Sequence, residues 1–240
     1  MRSCFLALLG SALLTLAPTI VRADETLDKS IRYLISSWQS DKSLSDFAPP
    51  QVLPIAEGSR IYGGCGENIG GMEIGGSAYC QATHTIYLVP QELGAFVEAF
   101  GPSAQAYVVA HEFGHAIQAA FSVELAGSAR ELQADCLAGI MIASGSDALG
   151  IARDQVVAMA SAAYAIGSDS HGTGAQRSYA LLSGMGVFDA SCKESDMKLL
   201  AAGRITDPSY LKLSKTRSGD SRVDTSKTPF PKTVGLALGI

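Results

Sequence analysis

Apolar side chains at Leu27, Ile31, Leu34, Ile35 and Trp38 fall three and four residues apart, a spacing that predicts an amphipathic helix over 26–38. Ala48-Pro49-Pro50 then breaks the chain. Short runs of strand character follow at 51–55, 60–62 and 83–89. The glycines between Gly58 and Gly76 read as hairpin turns, since they lack the lysine of a phosphate-binding loop and open no helix. In the last run, His84-Thr85-Ile86-Tyr87-Leu88 alternates as a strand does, with His84 expected at the surface. The pattern changes after Gly101-Pro102-Ser103. From there to about 121 almost every residue is apolar, and a helix apolar nearly all round is a buried one. A second helical stretch is expected over 128–143 after a turn at Gly127, then helices over 150–166 and 174–187, with Tyr164 in the core. Beyond Gly203 Lys, Ser, Thr, Asp and Pro dominate, so 214–240 is expected as a polar, loosely ordered tail.

The polar exceptions inside the buried helix carry the chemistry. His111-Glu112-Phe113-Gly114-His115 sets two imidazoles four residues apart, about 400° of helical rotation, so both leave one face a turn apart. Two neutral histidines so placed can grip one Zn2+, with Glu112 beside them to act as base on a water held by the metal. Burying these groups unpaired would cost on the order of several kcal/mol, which a metal ion removes. Gly114 weakens the helix by about 1 kcal/mol relative to alanine, so something is expected to pack closely there. Catalytic zinc usually keeps three protein ligands. The extended pattern HExxHxxGxxH cannot supply the third, because Gln118 and Phe121 occupy its last two marked positions. Glu131 and Asp135 are the next candidates, four apart on the second helix. Two helices joined by a short turn pack antiparallel and would bring that face to the histidines. Glu131 is read as the third ligand and Asp135 as the acceptor that fixes a ligand histidine's tautomer, with Asp135 as ligand the alternative.

Four pieces of the chain occur in a telling order. They are Gly64-Cys65-Gly66 with Tyr79-Cys80; Val109-Ala110-His111-Glu112-Phe113-Gly114-His115; Glu131-Leu132-Gln133-Ala134-Asp135-Cys136-Leu137-Ala138-Gly139; and Ser170-His171-Gly172-Thr173-Gly174-Ala175-Gln176-Arg177. Over roughly residues 30–195 this order resembles the bacterial neutral zinc metallopeptidase family. The resemblance implies zinc at His111, His115 and Glu131, with Glu112 as the catalytic base. Many relatives in that family carry a second histidine directly after the motif. This chain has Ala116 there, a position expected to point away from the metal.

The N-terminus changes the setting. Arg2, an apolar stretch over 5–17 and Val21-Arg22-Ala23 read as a secretory signal covering 1–23. The alternative is an uncleaved anchor in the inner membrane, since 4–21 is just long enough to span a bilayer. With Arg2 and Arg22 gone, 16 basic residues face 23 acidic ones, a formal charge of −7. That argues against a nucleic-acid partner or an anionic membrane surface. Four cysteines remain, an even number in an exported chain, which favours disulfides. Three pairings are possible; Cys65–Cys80 and Cys136–Cys192 are favoured, as structural bridges.

Together these readings predict an α+β, zincin-like metallopeptidase, mostly helical with a small β-sheet or hairpin beside the active-site helix. Its domain would span 24–213, and it would cleave peptides or proteins as a zinc-dependent endopeptidase in the periplasm or outside the cell. The strand over 83–89 is expected to border the cleft and pair with an extended peptide. His171 and Arg177 are candidate donors to the oxyanion, His171 alternatively a turn residue. Two other functions fit the motif: a non-catalytic zinc-binding module of the cell envelope, and a zinc hydrolase of a non-peptide amide. Glu112 argues against the first, because a purely structural site needs no base.

Overall fold

The amphipathic stretch near the N-terminus folds as one long helix, α1 (Ile20–Ser40), in the computed structural model, which describes residues 20–65, 71–215 and 238. Leu34 and Trp38 are buried on its inner face, with Leu27, Ile31 and Ile35 packed beside them. The helix begins earlier than its pattern predicts and runs through the expected cleavage point after Ala23. Positions 1–19 of the expected signal, 66–70 of the glycine-rich stretch, and 216–237 and 239–240 of the expected tail lie outside the described residues. No helix among the described residues is long and apolar enough to cross a membrane.

Five short strands follow: β1 (Gln51–Pro54), β2 (Arg60–Ile61), β3 (Met72–Glu73), β4 (Ala78–Cys80) and β5 (Thr85–Leu88). β2 and β3 form an antiparallel hairpin, as the glycines predict. At Gly71 (φ +77°) a Cβ would meet the Ile61 carbonyl at 2.6 Å, so the turn there requires glycine. The other three strands make a mixed sheet of order β1-β5-β4, β1 parallel to β5 and β4 antiparallel to it. This corrects one expectation. β5 is the inner strand, with neighbours on both sides, so it has no free edge; β4 takes the edge and lies against the helix that carries His111 and His115. His84 is corrected as well. It is not a surface strand residue but sits in the β4–β5 turn at φ +48°. Its Nδ1 lies 2.8 Å from the Tyr79 hydroxyl and its Nε2 2.8 Å from the Ala48 carbonyl.

The rest of the chain is helical: α2 (Pro90–Phe100), α3 (Ser103–Ala120), α4 (Gly127–Ser144), α5 (Ser146–Leu149), α6 (Arg153–Ala165), α7 (Gly174–Gly184), α8 (Glu194–Ala201) and α9 (Pro208–Leu213). The fold is therefore α+β, mostly helical with a small mixed sheet. α4 is its central element, with α3 on one side and α7 on another. α3 and α4 run antiparallel at very close range. A Cβ on Gly114 would meet the Ala134 carbonyl oxygen at 2.6 Å, which is why the chain tolerates a glycine in mid-helix. Gly139 of α4 meets the Leu181 carbonyl of α7, and Gly184 of α7 meets the Cys136 carbonyl of α4, in the same manner. Tyr164 is only half-buried, packed on the core at Gly174. Disulfides join Cys65 to Cys80 and Cys136 to Cys192.

Candidate metal centre

His111 and His115 leave α3 on the face turned to α4, with ring centroids 4.7 Å apart. Glu131, in the second turn of α4, meets both: its Oε2 lies 3.3 Å from His111 Nε2 and 3.5 Å from His115 Nε2. One donor atom from each of the three falls within 4.8 Å of the other two. For a tetrahedral ion with bonds of about 2.0–2.1 Å, neighbouring ligand atoms stand about 3.3 Å apart. The spacing and the N, N, O donor set fit zinc.

Electrostatics make the same demand. Burial works against a proton on His111, but the Asp135 carboxylate and the Glu131 hydrogen bond hold its pKa up at about 9. Burial would raise the carboxyl of Glu131, yet the two histidines keep it far below the usual carboxylate range. Glu131, and Asp135 behind His111, thus favour positive charge at this point, which a divalent cation supplies.

Each imidazole is held from behind. His111 Nδ1 lies 2.8 Å from Asp135 Oδ1, and His115 Nδ1 lies 2.8 Å from Gln118 Oε1. Both acceptors call for the proton on Nδ1 and leave the Nε2 lone pair for a metal. Asp135 is itself fully buried. Burial pushes its carboxyl up, and the Arg177 guanidinium and His111 override this, holding it at about 2. Arg177 Nε donates to Oδ2 (2.8 Å) and Nη2 to Oδ1 (2.9 Å), while the Tyr107 hydroxyl donates to Oδ1 at 2.7 Å. Arg177, expected as an oxyanion donor, gives Nε and Nη2 to Asp135 and so supports the Asp135–His111 pair, while also lining the cleft. Glu131, not Asp135, is the carboxylate among the three converging donors.

Glu112 points into the same cleft, an opening of about 440 Å³ bounded by β4, α2, α3 and α4. It is 6% exposed. Burial raises its carboxyl above the ordinary range, and the charges of His111 and His115 and the Tyr79 backbone amide pull it back. Ala116, by contrast, is fully buried in the core, on the side away from the donors. His171 reaches the cleft rim from an exposed turn, its Nδ1 2.8 Å from Ser170 Oγ and 3.1 Å from Ser168 Oγ.

Sequence reasoning missed Tyr107 and Gln118 as partners of the site. Both had a signal: Tyr107 precedes His111 by one helical turn, and Gln118 follows His115 by three residues in an otherwise apolar helix. The backbone contribution of β4 had none, because a three-residue strand in a glycine-rich stretch owes its state to pairing with β5.

Residues 58–128 match the family described as "putative neutral zinc metallopeptidase". The match takes in the β2–β3 hairpin, β4, β5, α2 and the whole of α3; it begins after β1 and ends just before Glu131. No curated protein and no solved structure matches the chain. Zinc is the ion that the family implies, and His111, His115 and Glu131 form the group that could hold it.

Proposed function

We propose that this chain is a zinc-dependent endopeptidase with a zincin-like fold, in which His111, His115 and Glu131 hold the ion and Glu112 is the base. One observation carries the reading: a buried carboxylate with raised basicity opens on the same cleft as the His-His-Glu donors. When bound, zinc supplies Lewis acidity, lowering the pKa of water towards about 7 and polarising a carbonyl oxygen.

Glu112 takes the proton from the attacking water and passes it to the leaving amine, and its raised pKa suits both transfers near neutral pH. The Tyr79 amide keeps that carboxylate facing the cleft. Asp135 and Gln118 keep the two imidazoles in their metal-binding tautomer. The substrate lies extended along the free edge of β4, with Phe96 and Val108 offering apolar contacts opposite. His171, on the rim, donates to the carbonyl oxygen as it becomes negative.

The working domain is 24–213, exported behind the 1–23 signal to the periplasm or beyond. Two disulfides suit an oxidising compartment. An unbiased peptide library incubated with the zinc-loaded chain tests the activity. Internal cleavage that stops on chelation is the expected result; intact peptides in the presence of bound zinc would overturn it.

A further inference from the structure

The support of His115 differs from that of His111 in a way with chemical consequences. Gln118 is 2% exposed and Gln133 0%, so neither amide can turn to water for a partner. Gln118 Nε2 donates to the Arg130 carbonyl at 2.8 Å and to Gln133 Oε1 at 3.0 Å. Gln133 Nε2 donates to the Cys192 carbonyl at 2.9 Å. A backbone carbonyl can only accept, so the direction of every bond follows from the two ends. The Cys192 carbonyl requires the amino group of Gln133, which turns Gln133 Oε1 towards Gln118. That oxygen and the Arg130 carbonyl together require the amino group of Gln118. Gln118 Oε1 is left facing His115 Nδ1, which must carry the proton. Flipping either amide would set oxygen against oxygen in a buried place.

We infer that Gln118 is a positioning residue for the metal site: anchored by the Arg130 carbonyl and, through Gln133, by Cys192, it fixes His115 with Nδ1 protonated and Nε2 free for zinc. Arg130 lies on α4 and Cys192 is tied to α4 by its disulfide with Cys136, so both anchors of the relay are fixed to the helix that carries Glu131. One ligand histidine is thus oriented by a charged pair and the other by a neutral relay. The inference rests on the zinc reading of the site and is independent of peptide hydrolysis.

The direct test is a long-range ¹H–¹⁵N spectrum of the zinc-loaded chain labelled in histidine. His115 should show a protonated Nδ1 and a metal-bonded Nε2; a metal-bonded Nδ1 overturns the inference. Zinc affinity supplies the second test, with competition by a chromophoric chelator as readout. Gln118→Leu should bind zinc about 10–100-fold more weakly, and binding within about twofold of wild type would overturn the positioning role. Gln118→Glu separates the relay from a lone acceptor. A carboxylate behind a ligand histidine ordinarily strengthens the site. Here its second oxygen would face two acceptors, so weaker binding is expected, and equal or tighter binding would contradict the relay. The wild-type spectrum decides the matter even if a variant fails to fold. A wild type that takes up no zinc would sink the zinc reading, while the metal-free spectrum would still show which nitrogen of His115 carries the proton.

Discussion

Two regions meet at the cleft, and they are held together by different means. On one side stand α3, α4 and α7, whose backbones touch at Gly114, Gly139 and Gly184 and whose interior holds an ionised pair, Asp135 and Arg177. On the other side stands the β-rich region, whose small core of Ile61, Cys65, Ile74, Cys80 and Val89 is fastened by the Cys65–Cys80 disulfide, while Ile86 and Leu88 of β5 reach into the main core. The three residues that could hold zinc all come from the first region, and the second supplies a wall and a backbone amide. Precise donor spacing needs rigid, densely packed elements; a substrate wall needs a free strand edge. The division of labour follows from what each kind of structure can hold.

The largest effect should come from breaking the helical side. Arg177→Ala leaves Asp135 charged and buried without its guanidinium, which should destabilise the protein by about 3–5 kcal/mol in urea unfolding. A loss under about 1 kcal/mol would mean that the pair is not the mainstay of that region. The β side should respond more mildly and separately. Cys65→Ser with Cys80→Ser opens a loop of 15 residues, worth about 3 kcal/mol, while zinc affinity stays as it was. A concurrent fall in zinc affinity would show that the two regions are not independent.

Acid gives the smallest effect and the sharpest localisation. Asp135 titrates at about 2 in the fold, below its ordinary 3.8, so its contribution is present above about pH 4 and lost as pH falls towards 2. About 2 kcal/mol should disappear over that window in chelator-treated protein. Amide exchange should show the loss in α3, α4 and α7; a loss confined to the β strands would contradict the assignment.

The same contrast decides how much was legible in the sequence. α3 and α4 announced themselves through long apolar runs, and the HExxH spacing with Glu131 and Asp135 follows from helical rotation alone. The buried glycine at 114 correctly signalled a close neighbour, since its packing against Ala134 is a consequence of helix geometry. The sheet was harder. β5 reads as a strand, but whether it is an edge or a centre depends on β4, a strand of three residues with no pattern of its own. α2 was missed although it carried a signal: Pro90 opens it, and Leu93, Phe96, Val97 and Phe100 recur three and four apart against Gln91, Glu92 and Glu98. Arg177 could not be placed, because 42 residues separate it from Asp135 and only the fold brings them together.

The central claim is that Glu112 is the base of a His-His-Glu zinc site. Turnover of a cleavable peptide by Glu112→Gln, compared with wild type at equal zinc content, tests it most directly. The account predicts a loss of at least about 10²–10⁴-fold with zinc fully retained. Turnover undiminished at equal zinc would contradict it.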